Sequence, residues 1–162
     1  MTVAGSLNVA AAILLLAAAA SAAPIQSEPD GSLHASAAQL QAAVSKTVNG
    51  QVNAALPTGP GGATVLIVRR DTTGDVEVHD KLCDVLVAQT GKASILIGGK
   101  VTGNHQVAPG EWRGGKIIGG ALYDFSPGDV VWIPAGLPHL ILVKSPSVTY
   151  LAMKFAKGVS PK

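Results

Sequence analysis

DVEVHDKLCDVLVAQT, residues 75–90, carries the pattern on which the fold turns. Alternate residues of a β-strand point to the same side, so Glu77 and His79 share one face and Val76 and Val78 the other. Asp84 opens the next strand. If the Glu77–His79 face lines an interior, two carboxylates and an imidazole converge there, a donor set suited to a divalent transition metal. Taken alone, an E-x-H pair is also what a solvent-facing polar face looks like. The rest of the chain decides between the two readings.

Outward from this stretch the period stays at two. ATVLIVRRD (63–71), DVEVHD (75–80), DVLVAQT (84–90) and KASILIGG (92–99) are rich in Val and Ile, and Thr73-Gly74, Thr90-Gly91 and Gly98-Gly99 separate them as turns. After a glycine-rich segment, KIIGGALYDF, DVVWIPA, HLILVK and SVTYLAMKF continue the series. About eight short strands at this spacing imply an all-β, antiparallel barrel or jelly roll spanning residues 63–156. The glycine pairs at 114–115 and 119–120 mark residues 100–127 as a candidate lid over a site.

Upstream, SAAQLQAAVSKTVN (36–49) sets Leu40, Val44 and Val48 four apart, the face of one short amphipathic helix, with Gly50 at its expected end. That face suits an open end of the barrel, a sheet edge or a dimer contact. Residues 23–62 then form a flexible N-terminus, the helix and a linker ending in PTGPGG, and 157–162 form a C-terminal tail. The first 23 residues carry no charged side chain, and the apolar run Val9–Ala20 ends in Ala20-Ser21-Ala22. This reads as a signal peptide, residues 1–22, cleaved after Ala22, with no membrane association afterwards and a secreted protein as the expectation.

Composition agrees with a single small domain. Only 4% of the 162 residues are aromatic while 48% are hydrophobic, so the core must be built mostly from aliphatic side chains, which suits strands. The 12 basic residues are scattered and the net charge is +2, so no basic stripe exists for nucleic acid. Cys83 is the single cysteine, so no internal disulfide staples the fold.

Gly128-DVVWI-Pro134-Ala-Gly136-Leu-Pro-His139 supplies the second decisive stretch. It resembles the second motif of the cupin superfamily, G-x5-P-x-G-x2-H, through its histidine. Glu77-Val-His79-DKLC-Asp84-VLVAQT-Gly91 is similar to the first motif, with the spacing kept from the second ligand onward. Glu77 stands where the family usually has a histidine, Asp84 replaces the customary Glu, Val143 the terminal Asn and Asp71 the opening Gly. The E-x-H-x4-D form also resembles a variant found among small cupins.

The resemblance implies a cupin β-barrel whose metal ligands are Glu77, His79, Asp84 and His139, holding a divalent Fe, Mn or Zn ion. Two histidines with one carboxylate would make a non-haem iron triad, and two carboxylates would favour Lewis-acid chemistry. An unligated Glu77 would instead be a catalytic general base. Trp112 and Arg113, in GEWRGG, are candidates for substrate contact, whereas Lys154 can face inward or outward on its strand. The expected function is a metal-dependent enzyme on a small-molecule substrate, a dioxygenase or an isomerase or lyase. The alternative is a secreted cupin that binds metal or a small ligand without turnover. Cupins of this size pair as dimers, so a homodimer is also implied.

Overall fold

The computed structural model of the chain describes residues 22–57 and 63–158; the expected signal segment falls outside the described residues, except Ala22, as do most of the PTGPGG linker and the last four residues. Helix α1 (Ala37–Ala43) comes first, followed by β1 (Gln51–Ala55), β2 (Ala63–Arg70), β3 (Glu77–His79) and β4 (Leu82–Thr90). Next are β5 (Ala93–Ile97), β6 (Lys100–Thr102), β7 (His105–Ala108), β8 (Glu111–Arg113) and β9 (Lys116–Ile118). The last four are β10 (Ala121–Phe125), β11 (Val130–Ile133), β12 (His139–Val143) and β13 (Val148–Ala156).

These strands form an antiparallel jelly roll. The first sheet runs β1-β2-β13-β4-β11 and the second β10-β5-β12-β3-β8-β7, with β6 and β9 paired as a separate ribbon. The expected strands correspond to β2–β5 and β10–β13. Two sequence readings change. Residues 100–127, expected as a lid, are largely paired: β7 and β8 extend the second sheet, β6 and β9 form the ribbon, and the glycine pairs sit at its turns with positive φ. The sheet also begins at Gln51, before the linker, because β1 pairs with β2 over Gln51–Ala55.

The helix is shorter than its apolar spacing suggests. Ser36 and Gln39 close a reciprocal capping box at its start. At the other end, Asn49 and Gly50 adopt φ of 52° and 76°, and Val48 and Gln51 exchange two backbone hydrogen bonds across them. Asn-Gly with both residues left-handed is the preferred two-residue hairpin turn. Gly50 therefore reverses the chain into β1 instead of capping a helix, and Val48 is left exposed.

Alternation sorts the strands onto two cores. Between the sheets lie Val68, Leu86, Ile95, Phe125, Ile133, Ile141 and Tyr150, drawn from both layers. On the outer face of the first sheet Val44, Leu56 and Ile67 are buried, with Ile25, Leu33, Leu40, Val52, Val65 and Leu151 packed around them. Leu40 and Val44 thus cover a sheet face and not an open barrel end. Two of the three motif glycines show their backbone reasons plainly. Gly91 turns β4 into β5 at φ 76°, where a Cβ would lie 2.0 Å from the Ser147 carbonyl oxygen, and Gly136 holds φ 82° ahead of β12.

Phe125 is fully buried and meets Tyr150 edge-on at 6.0 Å between ring centroids. Tyr150 in turn accepts a 2.9 Å hydrogen bond from Nε of Arg70, which is itself buried. Truncating Phe125→Ala should cost about 3–5 kcal/mol in denaturant-induced unfolding, as for other large core aromatics.

Burial pushes the Tyr150 hydroxyl up to about 12, although Arg70 pulls the other way. In the unfolded chain a tyrosine ionises near pH ~10, so the folded state keeps its proton longer. The stabilisation is fully present below pH about 10 and is lost as the pH climbs towards 12, amounting to roughly 2–3 kcal/mol in total. Tyr150→Phe should flatten that alkaline decline; urea unfolding of both proteins at pH 9, 10.5 and 12 measures it.

Candidate metal centre

Register brings the motif residues together. On the second sheet His139 stands opposite Glu77, and Glu77 opposite Arg113, while His79 stands opposite Glu111. On the first sheet Lys154 stands opposite Asp84. Both sheets turn these side chains inward, so the triad on one faces the Lys154–Asp84 pair on the other. Ligand atoms of Glu77, His79 and His139 lie within 4.8 Å of one another, and both histidines are buried.

The histidines are held by their far nitrogens. His79 Nδ1 is 2.5 Å from a Glu111 carboxylate oxygen, and His139 Nδ1 is 3.2 Å from the Leu137 carbonyl oxygen. Both acceptors lack protons, so each Nδ1 donates and each Nε2 keeps its lone pair turned to the interior. Glu77 is held from two sides, by Arg70 at 2.5 Å and Arg113 at 3.4 Å.

Electrostatics favours the forms that bind metal. Burial works to raise the Glu77 carboxyl, but the combined positive charge of Arg70, Arg113 and their neighbours outweighs it and holds the group below the usual range. Asp84 is likewise lowered: burial opposes ionisation, and the adjacent His79 and Lys154 overcome it. Burial depresses His139 more than the neighbouring carboxylates raise it, so its imidazole stays neutral. Anionic carboxylate and neutral imidazole are the forms a metal requires. The donor set Glu77, His79 and His139 therefore fits a divalent ion.

Asp84 stands beside this triad with its charge already engaged. Its Oδ2 lies 3.4 Å from His79 Nε2 and 3.6 Å from His139 Nε2. Both its oxygens accept hydrogen bonds from Lys154 Nζ, at 2.8 and 2.9 Å, and the same ammonium lies 2.9 Å from His79 Nε2. Lys154 faces inward because it keeps step with Val148, Tyr150 and Ala152 along β13, all three buried in the barrel.

The interior cavity is about 40 Å³, with Arg70, Glu77, Asp84, His139 and Lys154 at its polar end and Leu66, Val68, Leu86 and Ile141 among its apolar walls. The Trp112–Arg113 pair is divided by alternation. Arg113 turns inward to Glu77 and Glu111, whereas Trp112 lies on the outer side, where its indole donates to Asp80 at 3.1 Å beside an open cleft. Sequence reading passed over Glu111 and Arg70. The signal for Glu111 was its two-residue spacing from Arg113, hidden by the flanking glycines.

No protein-family model matches the sequence, and no curated protein matches it. Solved structures do match. An uncharacterized conserved protein with a double-stranded beta-helix domain from Klebsiella pneumoniae aligns at 13% identity over 75% of this chain and 84% of its own, with a TM-score of 0.53. The Cnp3 cupin domain of Schizosaccharomyces pombe aligns at 10% identity over 68% of this chain and 67% of its own, with a TM-score of 0.51. The DMSP lyase DddQ from Ruegeria pomeroyi aligns at 14% identity and a TM-score of 0.48 over 68% of this chain, which spans about half of that protein, 49%. The strand order, together with the double-stranded beta-helix domain and the Cnp3 cupin domain among these neighbours, shows that the chain has the cupin-type fold.

Proposed function

We propose that this cupin is a metal-dependent enzyme acting on a small organic molecule, with Glu77, His79 and His139 as the protein's ligands to a divalent transition metal. The observation that carries the reading is the buried cluster of three donors within 4.8 Å, whose two imidazoles are fixed from behind. Chance polar residues in a barrel interior have no reason to be oriented in this way.

Two imidazoles and the Glu77 carboxylate make the composition of a non-haem iron triad, and a second carboxylate from Asp84 would turn the same site towards Lewis-acid chemistry, so the donor set accommodates both the dioxygenase and the isomerase or lyase reading. An ion held there supplies Lewis acidity or, if it is iron, redox chemistry. The chain's own residues do the rest. Glu111 holds the His79 ring in the ligating tautomer, and Arg70 and Arg113 fix the Glu77 carboxylate. That pairing also lowers its basicity, which suits Glu77 as a ligand better than as a general base. A cavity of about 40 Å³ admits a group of only a few atoms, an order of magnitude below the ~300–1,000 Å³ of pockets for drug-sized ligands. This supports a small substrate, or one that inserts only its reacting end.

Metal analysis of the purified protein tests the assignment. The wild type should hold about one equivalent of transition metal after reconstitution, and His79→Ala and His139→Ala should each lose it; full retention in both variants would sink the site. Glu111→Gln, which removes the charge behind His79, should weaken metal affinity roughly 10- to 100-fold in chelator competition without loss of stoichiometry at saturation.

A further inference from the structure

The geometry points to Lys154 as a resident cation that a metal must displace, so that this one side chain sets the metal affinity of the site. The inference rests on the triad proposed above and adds a device to it. An imidazole nitrogen that is not protonated has one lone pair. Lys154 Nζ, 2.9 Å from His79 Nε2, donates to that lone pair, because Nδ1 of the same ring already serves Glu111. A metal on His79 needs the same lone pair. Lysine and metal therefore exclude one another at this atom.

Charge makes the same point. Glu77, Asp84 and Glu111 bring three negative charges to the site, and Arg70, Arg113 and Lys154 bring three positive ones, so the cluster is balanced before any metal enters. Adding a divalent ion with Lys154 in place would leave a buried positive excess. Withdrawing the ammonium removes one positive charge and frees both oxygens of Asp84. The sequence expectation of four ligands and the three-donor cluster of the structure are then two states of one site: Asp84 is withheld while Lys154 lies inward and joins when it leaves.

The placement is built into the fold. Lys154 and Asp84 are direct cross-strand partners in the long β13–β4 pairing, and both oxygens of Asp84 are used. The lysine side chain keeps 18% of its surface exposed, against 3% for Asp84, so the lysine is the member of the pair with a route outward.

The test is metal affinity, measured with Zn²⁺ and with Co²⁺ by chelator competition at one pH, for wild type, Lys154→Met, Asp84→Asn and the double variant. Lys154→Met should bind at least tenfold more tightly than wild type, and its Co²⁺ absorption should report an additional oxygen ligand. Asp84→Asn placed in the Lys154→Met background should cancel most of the gain. Because Lys154→Met leaves Asp84 buried and unpaired, its thermal unfolding is followed with and without Zn²⁺. Its melting temperature should be depressed without metal and should rise further on metal addition than that of the wild type.

Equal affinity in wild type and Lys154→Met, with stoichiometric binding that His79→Ala abolishes, would overturn the role of Lys154 and leave the triad standing. Absence of metal binding in all four proteins would overturn both. The double variant, which removes the ion pair as a unit, separates failure to fold from failure to bind.

Discussion

The pairing of β13 between β2 and β4 is the constraint on which the rest of the structure depends. It sets the parity of nine residues at once, because a slip of one position would turn every side chain to the other face. In the observed register Val148, Tyr150 and Ala152 enter the barrel, and Lys154 follows them inward opposite Asp84. The same strand turns Leu151 outward to the layer under α1. Both cores and one half of the site are thus fixed by a single hydrogen-bonded strand.

The site itself is divided between the sheets. The second sheet contributes Glu77, His79, His139 and the groups that orient them; the first contributes Arg70, Asp84, Tyr150 and Lys154. Neither sheet alone satisfies its own charges. Arg70 reaches from β2 to Glu77 just beyond its own turn and holds Tyr150 on the way, so the polar end of the cavity also ties the layers together. Breaking one member of such a network leaves another charge buried and uncompensated, which costs more than the net worth of the pair. This explains how a barrel poor in aromatic residues tolerates so many ionised groups in its interior.

Much of this was legible in the sequence. The period of two, the turn glycines and the motif spacings give the strands, the jelly roll and the inward histidines, because side-chain alternation is a local property of the backbone. Glu77 and His79 share a face by spacing alone. Local chemistry also misleads where one residue serves two purposes. Gly50 looks like a helix terminus, yet with Asn49 it makes a hairpin turn, and the glycines of residues 100–127 look like a lid but connect short paired strands.

What the sequence by itself determined is therefore the eight strands β2–β5 and β10–β13, the type of fold and three of the donors brought together, since each follows from spacing along one strand or one motif. Only the tertiary structure decided which charges meet. Whether Lys154 pointed in or out depended on which strand lay on either side of it, and whether Asp84 was a free ligand depended on Lys154. Glu111 and Arg70 likewise gained their roles from partners 32 and 7 residues away, by contacts across strands and turns. Electrostatic pairing acts through space over a few ångströms, and only the closed barrel brings those residues within that distance.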